Sequence, residues 1–168
     1  MNEQDLYENV KAALQLFFLK DCALLELTVN ECSISHKLAE HLQYLFKEYE
    51  VDCEYNRHGI YPKRIHRDHR TDAEGSDGRV FPDIVIHKRG HDERNLLAIE
   101  IKKRDNTDVS GDVEKLEVLT GQEFGYKTGL LIIFDVQNKI LSDVVFFQDG
   151  GERENTAWDN LRGIGHAG

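Results

Sequence analysis

The chain has 168 residues, 40% of them hydrophobic, which is enough for one domain with a sizeable core. Its formal net charge of −10 excludes a nucleic-acid binder that works through an overall positive field, so DNA or RNA contacts would need a local basic patch and a metal ion. Its three cysteines are odd in number and form no CxxC pair, which fits a reducing, cytoplasmic location better than a disulfide scaffold.

The first two expected elements are helices. Apolar residues spaced three or four apart predict a helix over 4–19: Leu6, Val10, Ala13, Leu14 and Phe17. The apolar run inside this helix is too short to span a bilayer, and its acidic start lacks the basic region of a signal peptide, so we expect no membrane association. A second helix is expected over about 30–47, with an apolar stripe of Ile34, Leu38, Leu42 and Leu45.

Glu31, at the start of the second helix, has two open interpretations. At about 3.6 residues per turn it falls within the apolar stripe, nearly in line with Leu38, so it could supply an acid to a site. The sequence Thr28-Val29-Asn30-Glu31 also matches a capping box, in which Glu31 only closes the helix N-terminus.

A strand and a long polar loop are expected next. The alternating sequence VDCEYNR at 51–57 predicts the first strand, and 58–79 predict a loop long enough to be functional. The basic residues here are the candidates for contacts with nucleic-acid phosphates: Arg57, Lys63, Arg64, Arg67 and Arg70. The alternative is a solvated loop whose cations are balanced by Asp68, Asp72, Glu74 and Asp77.

The two strands after this loop carry acids within apolar runs. They are PDIVIH at 82–87 and LLAIEIKKR at 96–104. A carboxylate costs several kcal/mol to bury unless it is paired or binds a cation. The short polar link over 88–95 predicts a hairpin, so the two strands should be antiparallel neighbours.

The polar residues of this hairpin predict a metal site. Side chains alternate along a strand, so Glu100 and Lys102 share one face, and Asp83 comes close to them if the strand register is right. Two carboxylates and an ammonium in this arrangement favour a hard divalent cation. The alternative is a salt-bridged hairpin in which Glu100 pairs with Lys102 or Lys103.

One more helix is expected after the hairpin, over 106–120. Asp112 and Lys115 flank its apolar face, and Lys115 is expected to form ion pairs along the helix surface. Apolar runs then predict strands over 127–134 and 140–147. These elements give a single domain over 1–148, followed by a polar, glycine-rich tail over 149–168. The anchors of this tail are Trp158 and Leu161.

Pro82-Asp83 followed by Glu100-Ile101-Lys102 on the next strand resembles the PD-(D/E)xK nuclease superfamily. The expected order of elements over about 24–147 is also similar to the core of that family. The resemblance implies an α/β domain with a restriction-endonuclease-like αβββαβ core, in which helices flank a mixed central sheet.

The resemblance also implies a role for each motif residue. Asp83 and Glu100 would bind Mg²⁺, for which Mn²⁺ can substitute, and Ile101 would offer its backbone carbonyl to the metal. Lys102 would orient or polarise the attacking water. Many members of the family place a glutamate on the helix before the first strand, which supports Glu31 as a further acid of the site.

The activity implied is Mg²⁺-dependent hydrolysis of phosphodiester bonds in a defence or repair context, with DNA as the first candidate substrate and RNA as the second. Several relatives carry a polar residue near the site on the helix after the motif, so Lys115 and Gln122 are further candidates. Many relatives act as dimers, so a homodimer stays open. The rival functions are a catalytically inactive binding module that keeps the fold and an acidic interaction domain.

Overall fold

The computed structural model of the protein describes residues 1–26, 29–55, 57–58, 61–62, 81–105 and 108–165. The first half of the chain forms three helices and three strands: α1 (Glu3–Lys20), α2 (Ala23–Glu26), α3 (Glu31–Leu45), β1 (Glu50–Cys53), β2 (Arg57–His58) and β3 (Tyr61–Pro62). The second half forms β4 (Ile84–His87), a 3-10 turn (Asp92–Arg94), β5 (Leu97–Lys103), α4 (Ser110–Thr120), β6 (Thr128–Asp135), β7 (Ile140–Gln148), β8 (Gly151–Arg153) and α5 (Thr156–Asp159). Within the described ranges, no helix combines the length and the apolar character needed to cross a membrane.

Six strands form one mixed sheet in the order β1-β4-β5-β6-β7-β8, while β2 and β3 pair separately. Strands β4 and β5 are antiparallel, as the hairpin prediction requires, with Ile84 opposite Ile99. Strands β5 and β6 are parallel, because α4 carries the chain back between them. The expectation of an α/β domain with a mixed sheet flanked by helices is confirmed.

The sheet separates two apolar clusters. The larger one lies under α1 and α3 and includes Ile99 and Ile101 of β5. The smaller one lies under α4 and includes Ala98 of the same strand. Because side chains alternate along β5, Glu100 and Lys102 leave the sheet on the α4 side.

The predicted first strand is too long at its C-terminal end. Strand β1 ends at Cys53 because Glu54 has a φ angle of 50°, in the left-handed region that an extended strand does not include. Arg57 therefore belongs to the separate strand β2. The helix predicted over 106–120 begins at Ser110.

Beyond residue 148, where the sequence suggests a polar tail, the chain forms β8 and α5. Strand β8 pairs with β7 and extends the sheet. Trp158 of α5 is 1% exposed, and its ring stacks on Phe146 and meets Tyr7 edge-on, with centroid distances of 5.8 Å and 5.4 Å. Leu161 is fully buried beside it. The two apolar anchors therefore tie this segment to the larger core.

Gly129 of β6 lets α4 lie close to the sheet. A Cβ atom at this position would lie 3.0 Å from Thr120 Cγ2 and 3.1 Å from Phe147 Cβ. We therefore expect Gly129→Ala to lower the free energy of unfolding by about 1–3 kcal/mol, as overpacking does. Urea denaturation would measure the change. Gly111→Ala in α4 is the matched control, because a Cβ there meets no atom within 4 Å. A loss of stability that is equal in both variants would contradict this account of Gly129.

Candidate metal centre

A hydrogen bond joins Asp83, which directly precedes β4, to Ile101 of the neighbouring strand β5. The Ile101 N–H donates to Asp83 Oδ2 at 2.7 Å. Ile84 pairs with Ile99, so the same register places Asp83 opposite Glu100. The N–H and C=O of one residue in an extended strand point to the same side, so the Ile101 carbonyl also faces Asp83. The acid and the carbonyl that the family resemblance names are therefore neighbours.

Glu100 is the most deeply buried acid of the site, with 1% of its surface exposed. Its Oε2 accepts a hydrogen bond from Lys115 Nζ at 2.6 Å. Its Oε1 has no hydrogen-bond partner among the described residues. Burial raises the pKa of Glu100 to about 8, and the nearby Asp83 carboxylate adds to this rise while Lys115 opposes it.

Lys102 points to the same side of the sheet as Glu100 but pairs with other acids. Its Nζ lies 3.3 Å from Asp112 Oδ2 and 3.6 Å from Glu31 Oε2. Burial disfavours the charged amine, yet the Asp112 and Glu31 carboxylates raise the pKa of Lys102 above its ordinary value. Lys103 turns its amine to the Val29 carbonyl. Because Glu100 pairs with Lys115 instead, these contacts argue against the salt-bridged hairpin.

Glu31 reaches the same place from the first turn of α3. Asn30 caps this helix, since its side chain accepts the Ser33 N–H at 3.1 Å. Glu31 Oε1 accepts the Lys103 N–H at 3.0 Å, while Oε2 faces Lys102. Thr28, the other half of the suggested capping box, lies outside the described residues. The carboxylate of Glu31 thus contacts β5, which favours the interpretation of Glu31 as an acid of the site.

Asp112 and Lys115 of α4 complete the arrangement. Asp112 is buried, and Lys115 Nζ lies 3.6 Å from its Oδ1. Lys115 forms the expected ion pair along the helix with Asp112, and its amine also reaches Glu100 on the sheet. Gln122 lies beyond the last residue of α4, which is Thr120. Their place in the site could have been inferred from their spacing of three residues, which puts Asp112 and Lys115 on one side of a helix that packs back over β5.

These six side chains form what we call the acid–lysine cluster: Glu31, Asp83, Glu100, Lys102, Asp112 and Lys115. Burial raises the pKa of Asp83 in this cluster, while the Ile101 N–H and the two amines oppose the rise. With every group ionised, four carboxylates and two ammonium groups leave a formal charge of −2, which one divalent cation would neutralise.

The donors of the cluster fit Mg²⁺. In the part of the chain that the structure describes, no three His, Cys, Asp or Glu side chains are grouped closely enough to hold a metal ion. Mg²⁺, however, commonly binds one or two protein carboxylates and completes its shell with water. Asp83, the unpaired Oε1 of Glu100 and the Ile101 carbonyl form such a smaller set.

Most of the residues that we expect to contact nucleic acid lie outside the described part of the chain. Arg57 is part of β2, and the other basic candidates lie outside the described residues: Lys63, Arg64, Arg67 and Arg70. Among the described residues, the acid–lysine cluster is therefore the candidate functional site. Comparisons with family models, with curated proteins and with solved structures found no match to this chain.

Proposed function

We propose that the protein is a Mg²⁺-dependent nuclease that hydrolyses phosphodiester bonds in DNA. The observation that carries the proposal is the buried Glu100 carboxylate opposite Asp83, with one oxygen that no described residue satisfies. A buried acid in this state is costly unless a cation or a proton compensates it. Bound Mg²⁺ would activate a water molecule and neutralise the charge that grows on the phosphate.

The order of the central elements supports a restriction-endonuclease-like core for this proposal. Elements α3, β1, β4, β5, α4 and β6 follow the sequence αβββαβ, with β2 and β3 as an additional hairpin. The first three strands of this series are antiparallel neighbours, and β6 returns parallel to β5. This arrangement brings Asp83, which directly precedes β4, and Glu100 of β5 together beside α4.

Four residues of the cluster have a role in the proposed reaction. Asp83 and Glu100 would hold the metal ion together with the Ile101 carbonyl. Lys102, which its neighbouring carboxylates keep charged, orients the water that attacks the phosphate. Glu31 holds the Lys102 amine and the Lys103 N–H, so it fixes the end of β5 that carries this amine.

The substrate has to overcome the acidity of the whole molecule. The net charge of −10 repels a polyanion, so local cations must guide the strand to the site. We assign this task to the basic residues that precede the motif: Arg57, Lys63, Arg64, Arg67 and Arg70. Cleavage that depends steeply on salt concentration would follow from such phosphate contacts.

Cleavage assays on supercoiled, linear and single-stranded DNA test the proposal. With Mg²⁺ or Mn²⁺, we expect the wild-type protein to cut DNA. The activity of Asp83→Ala should fall to background because this variant loses a metal ligand. The activity of Lys102→Ala should also fall to background, because this variant loses the amine that orients the water. Lys127→Ala is the control, since this lysine is exposed and lies outside the cluster. Equal activity of the wild type, Asp83→Ala and Lys102→Ala would remove the assignment.

The rival candidate is a binding module that keeps the fold without turnover. It is favoured by the contact between Lys115 and Glu100, which gives the acid a cationic partner from within the chain. Calorimetry separates the two functions. Heat from Mg²⁺ binding that disappears in Asp83→Ala supports the nuclease, whereas a wild-type protein that takes up no Mg²⁺ supports the module.

A further inference from the structure

Lys115 contacts one oxygen of the buried carboxylate whose other oxygen belongs to the proposed metal site. Its Nζ lies 2.6 Å from Glu100 Oε2, on the one acid that is almost fully buried. The side chain of Lys115 is 25% exposed, so solvent reaches part of it. Two cations that share one carboxylate at this depth repel each other strongly.

The two partners in this contact differ in their freedom to move. Glu100 lies on β5, which is hydrogen-bonded to β6 along its whole length. Lys115 has a flexible four-carbon stem on a half-buried part of α4. Asp112 offers the amine a second acceptor, because its Oδ1 is already 3.6 Å from Lys115 Nζ. When a divalent cation arrives, the lysine is therefore the partner that moves.

We propose that Lys115 is a displaceable internal counter-cation of the metal centre. Its ammonium group compensates Glu100 in the metal-free protein and moves to Asp112 when a divalent cation binds. This role rests on the metal site of the proposed function and adds a feature to it. Lys115 lowers the affinity of the site for metal, because each binding event has to displace an ion pair.

Metal titration of the metal-free chain at a pH above about 8, where Glu100 is ionised and pairs with Lys115, tests this role without measuring cleavage. Calorimetry with Mg²⁺ and electron paramagnetic resonance with Mn²⁺ both report the dissociation constant. We expect Lys115→Met to bind either ion about tenfold more tightly than the wild type, a typical size for coupling between two bound groups. Lys115→Arg keeps the competing cation and should bind as weakly as the wild type. Lys115→Gln replaces the methionine variant if that variant does not fold.

Lys102→Met is the matched control for charge. It removes the same positive charge from the cluster, but from beside Asp112 and Glu31 rather than from Glu100. We expect its gain in affinity to be clearly smaller than that of Lys115→Met. Equal gains would show that only net charge matters, and this result would overturn the displacement.

The remaining outcomes separate this inference from the proposed function. Weaker binding by Lys115→Met would make the lysine a support for Glu100 and overturn its role as a competitor. Wild-type binding that this substitution leaves unchanged would also overturn the inference but would keep the metal site. If neither the wild type nor any variant binds a divalent cation, the result contradicts both the metal site and this inference. Binding by Lys115→Met alone would support the inference and identify the wild-type protein as the inactive module.

Discussion

Glu100→Gln is expected to stabilise the metal-free protein at alkaline pH while it abolishes the binding of divalent cations. The unfolded chain ionises Glu100 near its ordinary pKa of 4.5, whereas the folded chain keeps the proton until about pH 8 because of burial. Between these values the folded state binds more protons, so the free energy of unfolding falls as pH rises. The loss is up to about 1.4 kcal/mol per pH unit, on the order of 3–5 kcal/mol in total. Glutamine has no charge to acquire and avoids this loss.

Urea denaturation in the presence of a chelator, repeated from pH 4.5 to about 8, would measure the effect. The stability of the wild type should decline across this range, and the Glu100→Gln curve should be flatter and cross above it. Glu117→Gln is the control, because Glu117 is an exposed acid on the same helix as Lys115. Parallel curves for the wild type and Glu100→Gln would show that Glu100 is already ionised in the folded protein at the acidic end of the range.

Trp158→Ala is expected to lower the free energy of unfolding by about 3–5 kcal/mol, the usual cost of removing a large buried aromatic side chain. The ring is buried between Tyr7 of α1 and Phe146 of β7. Its loss therefore leaves a cavity where α5 packs against α1 and the sheet. Chemical denaturation followed by circular dichroism would give the change.

Trp158→Phe is the matched variant for the same site. It keeps an aromatic ring and removes the indole N–H, which has no hydrogen-bond partner among the described residues. We expect it to cost much less than the alanine variant, since an unsatisfied buried donor is itself unfavourable. An alanine substitution that changes stability by less than about 0.5 kcal/mol, as surface substitutions do, would mean that α5 does not pack on the core.

The central part of the site could be predicted from the sequence because strand geometry is local. Alternation alone places Glu100 and Lys102 on one side of β5, and the short link between the strands implies an antiparallel hairpin. The register that puts Asp83 opposite Glu100 could not be predicted in this way. It depends on how the apolar residues of β4 pack between two helical layers, which is a property of the folded core.

The partners of these acids depend on contacts between distant segments. Glu31 and Lys103 are far apart in the sequence, and only the packing of α3 against the end of β5 joins them. The contact between Lys115 and Glu100 likewise depends on the angle at which α4 crosses the sheet. The sequence indicates Trp158 as an apolar anchor, but its contact with Tyr7 joins residues that are far apart in the chain, so no local sequence pattern predicts it.

Two acids of the site, Asp83 and Glu31, also cover an edge of β5. Strand β5 runs on to Lys103, whereas its pairing with β4 stops at Ile99, so among the described residues the last amide groups on that side have no neighbouring strand. Asp83 accepts the Ile101 amide and Glu31 accepts the Lys103 amide, which closes an edge that could otherwise recruit a strand from another molecule. Variants that remove Asp83 or Glu31 will therefore expose an open strand edge, which is a site of aggregation. Their loss of activity has to be judged on protein that has been shown to remain monodisperse.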